Sequence, residues 1–476
     1  MHFRRLRPSR LPITALLCAI PMLAQAQKPL AANQQLLHDV YKQLVETNTM
    51  DSVGSVTRAV NLMAARFRAS GFSERDIHIL APAGHPTKAN LVVRYRGTRS
   101  GEKPLLLLAH LDVVAALRSD WSIDPFLLTE KDGYYYGRGT SDDKAMASIF
   151  VANLLRDKAA GWKPRRDVIL ALTADEEGGD ANGVDWLVHN HRDLIDAAYA
   201  LNEGGGGALR DGKPFSNSVQ AAEKVSVNFT ITALNRGGHS SVPRPDNAIY
   251  ELVHSLARLE AFRFPVELNE VSREFFTQTA ALETPAAGAA MRTIVADPGD
   301  SAASAVLSSD ARYNSMLRTT CVATRLAGGH AYNALPQTAS ANINCRIVPT
   351  QTPEQVRATL ARVIGDTGVR ITETIAIREK SGAAPSPLTA EVMNPVRDIT
   401  HEMFGATVPV VPVMSTGATD GRFLRAAGIP TYGVSGLFGD PADSRAHGRD
   451  ERMLVKSLYD GQEFLYRLVH RLADEK

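Results

Sequence analysis

Leu105-Leu106-Leu107-Leu108-Ala109-His110-Leu111-Asp112 is an unbroken apolar run that ends in a histidine and a carboxylate. Being short and apolar at every position, it reads as a strand buried on both faces, the pattern of a parallel sheet covered by helices. The same arrangement recurs. Residues 168–173 lead into Asp175-Glu176-Glu177, residues 198–202 lead into Glu203, and further apolar runs occupy 91–95 and 430–434. Gly-containing loops and helical stretches such as 144–156 follow several of these runs, which predicts an α/β fold. Each polar cluster then emerges at the carboxyl end of a strand, where open α/β sheets place their active sites.

At 476 residues the chain is too long for one ordinary core and predicts at least two domains. Its 44% hydrophobic and 22% charged residues are those of a globular protein, with no basic excess that would suit nucleic acid. The head carries Arg4, Arg5, Arg7 and Arg10, an apolar stretch over 13–23 and Ala24-Gln25-Ala26. It reads as a signal peptide over 1–26 cleaved after Ala26, hence an exported, periplasmic or secreted protein. Its removal takes away the four arginines and no acid, turning the formal charge of +2 slightly negative. Cys18 lacks the small residue before it that a lipid attachment site wants, so no membrane anchor is expected. Cys321 and Cys345 flank a predicted hairpin near Asn333 and are either a disulfide or two small buried thiols.

From residue 223 to 378 the pattern changes. Alternating segments at 224–233, 317–325, 339–348 and 369–377, with helical ones at 246–262 and 353–365, give a βαββαβ order. The expected architecture is a mixed, mostly parallel sheet catalytic domain, 27–222 with 379–476, and an inserted ferredoxin-like α+β lid domain over 223–378. Residues 263–316, rich in Ala, Thr and Ser without a strong period, read as an insertion within the lid.

The polar clusters are His110-Leu111-Asp112, Ser141-Asp142-Asp143-Lys144, Asp175-Glu176-Glu177, Asn202-Glu203-Gly204 and Ala446-His447-Gly448. Two histidines and several carboxylates are the ligand types that a pair of zinc-like ions needs for hydrolysis. In order, spacing and the inserted domain the chain resembles the two-metal hydrolases that include bacterial glutamate carboxypeptidase, aminoacylase and succinyl-diaminopimelate desuccinylase. The resemblance spans nearly all of the chain after residue 26. It implies two Zn2+ per subunit, with other divalent ions as substitutes, held by His110, Asp142, Glu177, Glu203 and His447. Asp142 would bridge the ions; Asp143 competes for that role but has a capping reason to exist. Asp112 would orient His110, and Glu176 would be the general base.

In the lid, the resemblance makes His239 a catalytic residue that reaches a neighbouring subunit's site, which implies a homodimer. Asn333 and Arg346 would clamp the substrate, and Gly417 lies in a loop that would line the pocket. Bland readings stand beside these: His239 capping a turn, Asn333 occupying one, Arg346 as an outward strand charge. The implied reaction is cleavage of peptide or N-acyl amino acid amide bonds, carboxypeptidase- or aminoacylase-like. A dipeptidase or aminopeptidase of the same family is the alternative within enzymes, and a metal-free binding protein the alternative outside them.

Overall fold

A computed structural model describes residues 29–99, 101–373 and 383–474; the segment read as a signal peptide lies outside them. At its centre is a ten-stranded sheet. Its middle is parallel: Val168–Thr173, Leu105–His110, Tyr199–Asn202 and Thr431–Gly433 lie side by side in that order. Asn90–Tyr95 flanks them antiparallel, and Ile77–Leu80 pairs antiparallel with it.

The unbroken leucine run has a plain cause in this arrangement. Leu105 and Leu107 enter a core with helices Ala32–Val45, Val56–Ala69, Lys144–Ala160 and Val455–Asp474. Leu106 and Leu108 point the other way, into a second core with Val184, Leu187, Leu424 and Ile429. A strand with a core on each face needs an apolar side chain at every position.

Lys213–Glu223 belongs to this sheet, Val225 already starts the next one, and Lys224 between them is the crossover. The smaller sheet is antiparallel, with Thr320–Gly328, Thr338–Ile347, Val225–Leu234 and Val369–Glu373 side by side and helices Ala248–Ala261 and Pro353–Ile364 on one face. This is the expected ferredoxin-like order. Of the strand expected over 369–377, the part beyond Glu373 lies outside the described residues. Cys321 and Cys345 are register partners and form a disulfide, the first of the two readings that composition left open.

One expectation is corrected. Residues 263–316 hold four helices, Glu270–Thr279, Pro285–Ala296, Ser301–Ser308 and Ala311–Leu317, and they do not serve the lid. Phe275, Phe276, Met291, Leu307 and Leu317 form a core with Val411 and Val413 of strand Val410–Ser415, which among the described residues pairs only with Lys213–Glu223, at the margin of the large sheet. An exposed sheet edge invites pairing with other chains, and covering it with helices removes that hazard. The helices were legible in their N-caps, since Asn269, Thr284, Asp300 and Asp310 each accept a main-chain N–H at a helix start. Their seat was not.

Because both faces of the central strand are buried, Leu106→Ala and Leu107→Ala should each lower the unfolding free energy by about 2–5 kcal/mol. Urea melts of the two variants check this; a near-neutral result at either position would mean that one face of the sheet is not a core.

Candidate metal centre

The carboxyl ends of the parallel strands bring the ligand-type residues together. His110 ends its strand level with Thr173, and Glu203 directly follows Tyr199–Asn202. Asp142 comes from the loop before helix Lys144–Ala160, and His447 from the loop before Arg452–Leu454. The Nε2 atoms of His110 and His447 lie 3.0 and 3.1 Å from the two separate oxygens of Asp142. Glu177 Oε1 is 2.9 Å from His447 Nε2, and Glu203 Oε1 is 3.9 Å from His110 Nε2. Ligand atoms of His110, Asp142 and Glu177 lie within 4.8 Å of one another, and so do those of His110, Glu176 and Glu203.

The donor chemistry fits metal ions. His110 Nδ1 lies 3.0 Å from the main-chain carbonyl of Asp112. A carbonyl only accepts, so Nδ1 carries the proton and Nε2 of the neutral ring is a bare lone pair turned toward Asp142. An imidazole lone pair and a carboxylate oxygen at that distance need a cation between them, a proton or a metal. The separations bracket the edge of a tetrahedron with zinc-like bonds, about 3.3 Å. The His110 side chain is 1% exposed and that of His447 55%, so the first is set in the interior and the second stands on the open side.

The structure separates the roles of the neighbouring aspartates. Asp142, with one oxygen toward each histidine, has the geometry of a bridge; Asp143 sits at the helix N-cap but makes no side-chain cap bond, and its buried Oδ2 has no partner. Asp112 lies against His110 through both its main chain and its carboxylate. Its nearer side-chain oxygen is 3.6 Å from Nδ1, and its main-chain oxygen is 3.0 Å away. Its carboxylate accepts the main-chain N–H groups of Glu176 at 3.2 Å and Glu177 at 2.9 Å, fixing the segment that carries the next two acids. Asp175 anchors the same segment from the other side, through Lys88 Nζ at 2.6 Å and Ala181 N at 3.1 Å.

Sequence reasoning missed Glu451. Fully buried, it accepts from Gly139 N, Ser141 N, Ser141 Oγ and Asp142 N at 2.7–3.1 Å and pairs with Arg138 Nη1 at 2.6 Å. Arg138 also donates to the Gly448 carbonyl at 2.9 Å. One buried ion pair thus joins the loop of Asp142 to the loop of His447. Gly139 adopts φ +81, turning its N–H to this carboxylate where a side chain would meet Lys144 and Val113. The only sequence signal was position: an acid four residues after His447.

The cluster draws cations. Burial, with Asp420 and Glu177 nearby, pushes the Glu176 carboxyl up to about 8. Burial and the neighbouring Asp142 push Glu177 up to about 7. Burial raises Glu203 well above the usual range. Contact with Asp142 raises His447 to about 9. Burial opposes charge on His110, yet its contacts with Asp112 and Asp142 hold it well above an ordinary imidazole. Crowded carboxylates that hold on to protons in this way are ones a divalent cation would discharge.

The lid residues form a separate group. His239 and Asn333 meet on a two-stranded ribbon, where Gly238–His239 pairs with Ala334–Leu335 and Ser240 N donates to the Asn333 carbonyl at 3.0 Å. Both are exposed, and neither is bonded to the metal-type cluster among the described residues. His239 Nδ1 accepts from Ser241 N at 3.2 Å, which leaves Nε2–H of the neutral ring as a free donor. Among the described residues Arg346 has no acidic partner. Gly417 is exposed in a loop that Glu223 holds by Thr419 N at 2.6 Å and that Asp420 ties to Asn182 at 2.6 Å.

The family model described as Peptidase family M20/M25/M40 matches residues 106–471. The human N-fatty-acyl-amino acid synthase/hydrolase is 28% identical over 385 residues, 79% of this chain and 75% of its own. Rat aminoacylase-1B is 26% identical over 390 residues, 80% and 83% of the two chains. An M20 family metallo-carboxypeptidase from Sulfolobus solfataricus superposes with a TM-score of 0.68 at 19% identity, over 93% of this chain and 100% of that one. The Bacillus subtilis protein YXEP, titled a dinuclear metal binding peptidase, gives 0.59 at 12% identity, over 93% and 99% of the chains.

Glu451→Gln should weaken zinc binding about 10–100-fold while the far-ultraviolet spectrum stays that of the folded chain. Competition against a chromophoric chelator measures it; wild-type affinity would remove Glu451 from the support of the site.

Proposed function

Since the chain belongs to peptidase family M20/M25/M40, a family of hydrolases, we propose that it uses two zinc ions to release an amino acid with a free carboxylate from an N-acyl amino acid or a peptide. The observation that carries this reading is Asp142 placed between the two imidazoles, flanked by Glu177 and Glu203, with Glu176 beside them. Both curated relatives described above bear names of enzymes that act on acylated amino acids, which supports the substrate class.

His110, Asp142 and Glu203 would hold one ion, and Asp142, Glu177 and His447 the other. When bound, the pair supplies Lewis acidity toward the scissile carbonyl and makes water acidic enough to attack at neutral pH. The protein's own groups do the rest. Glu176 takes the proton of the attacking water on its carboxylate and passes it to the leaving nitrogen. His239 offers Nε2–H to the oxygen on which charge develops. Asn333 and Arg346 hold the substrate, Arg346 by its carboxylate.

His239 stands on the lid, so we place it in a partner's site and read the protein as a homodimer. Strand Thr320–Gly328 pairs on one side only among the described residues, and its Val322 and Leu326 are exposed, as are Tyr250 and Val253 of helix Ala248–Ala261. A free edge beside an apolar helix face is a surface that association covers. The Cys321–Cys345 disulfide suits an oxidising compartment and supports export through residues 1–26.

Two experiments test this. N-acyl amino acids and blocked dipeptides should be hydrolysed, with activity lost to a chelator and restored by zinc, and Glu176→Gln should keep metal yet lose about 100-fold or more of kcat. Activity on free dipeptides alone would shift the reading to a dipeptidase. Sedimentation and intact mass of the protein expressed with its own leader should give a dimer of chains that begin at Gln27; a monomer or an uncleaved chain would refute the corresponding part.

A further inference from the structure

Lys88 stands before residues 106–471, the stretch that the family model matches, yet it is bonded into the segment that carries the acids of the metal centre. Its Nζ is 2.6 Å from Asp175 Oδ2 and 2.7 Å from Asp51 Oδ1, with Asp180 Oδ1 at 3.7 Å. The pair with Asp175 is interior. The Lys88 side chain is 13% exposed and that of Asp175 2%, whereas Asp51 and Asp180 reach the ammonium from the solvent side.

Asp175 begins the turn that aims Glu176. Its backbone is left-handed, with φ +60, a conformation that a residue other than glycine holds only where its surroundings impose it. Its Oδ2 takes Lys88 and the Ala181 main-chain N–H, and its carbonyl accepts from Asn182 Nδ2 at 3.0 Å. Gly179 closes over the pair. At φ +123, a Cβ there would lie 2.3 Å from Asp175 Oδ2 and 2.8 Å from Lys88 Nζ. Gly179 thus leaves the room that this ion pair needs.

From Asp51 the contacts lead back to the strand of His110. Thr49 Oγ1 donates to the Leu111 carbonyl at 2.6 Å and Met50 bridges to Val113, so residues 49–51 grip the main chain on both sides of Asp112. The Asp112 carboxylate in turn holds the N–H groups of Glu176 and Glu177. The path closes into a ring through Asp112, residues 49–51, Lys88, Asp175 and Glu176. Without Lys88, a buried carboxylate is left uncompensated, and Asp175 must take up a proton or turn toward water. Either change removes the outer support of the turn.

We propose that Lys88 is a positioning residue for the general base: by bonding Asp175 and Asp51 at once, it completes the ring that holds the turn of Glu176 against the strand of His110. This rests on the role given to Glu176 above and deepens it. Residues ahead of the first metal-binding strand then take part in aiming the group that moves the proton.

The test joins steady-state kinetics at saturating zinc with amide hydrogen exchange. Lys88→Met should lower kcat about 10–100-fold, as small misplacements of a catalytic group do, and leave KM within about 3-fold. Exchange should quicken over residues 175–182 while residues 105–110 stay protected. Lys88→Arg, which keeps the charge and can reach two carboxylates, should recover part of kcat. Asp51→Ala removes an exposed side chain and leaves Asp175 paired, so it opens the ring without stranding a buried charge and should lower kcat about 2–10-fold. Lys88→Met with Asp175→Asn should cost no more than the larger single loss, since both remove one link. Quicker exchange over 105–110 as well would mark a general loss of stability and overturn the proposal. So would a raised KM with kcat intact, losses that add in the double variant, or wild-type kcat and exchange in Lys88→Met. Hydrolysis by the wild-type chain judges the role of Glu176 separately, and the exchange measurement needs no substrate.

Discussion

The buried pair of Arg138 and Glu451 is the interaction on which the metal centre depends. Taking two charges out of water is costly, and the cost is offset here because the carboxylate accepts four further hydrogen bonds from the loop that presents Asp142. The guanidinium in turn reaches the main chain beside His447. A rigid carboxylate between two imidazoles requires both loops to hold still, and neither is in a helix or strand. Charged hydrogen bonds in a buried setting supply the stiffness that regular structure does not.

The strands provide the other half of the constraint. Parallel strands buried on both faces end level with one another, so the residues just past their carboxyl ends converge whatever their distance in the chain. Asp112 extends that convergence by holding the main chain of Glu176 and Glu177, which turns one strand's end into a support for the next. The crossover at Glu223 and Lys224 does the corresponding work between the domains. Glu223 pins the loop after Val410–Ser415, and Lys224 faces the lid.

Much of this was legible in the chain. The leucine run announced a strand with two covered faces, the βαββαβ order announced the lid, and the clusters stood in the order of the family to which the chain belongs. Each signal is local: periodicity, a cap or a short motif. What was missed depended on partners distant in sequence. Asp112 was read as the partner of His110 from the family resemblance, and nothing local showed that its carboxylate also holds the main chain 64 and 65 residues later. Residues 263–316 were assigned by their position inside the lid segment, whereas their apolar faces match an edge strand near residue 411.

The sequence by itself determined the fold class and which residues could bind metal, because burial pattern and ligand chemistry are properties of the residues and their neighbours. Only the tertiary structure decided which atoms face which. That Asp142 and not Asp143 lies between the histidines, and that Glu451 binds the loop of Asp142 from 309 to 312 residues away, are such decisions. The physical reason is that hydrogen bonds and charges act over a few ångströms in space, and nothing in linear order says which distant groups the folded chain will bring that close.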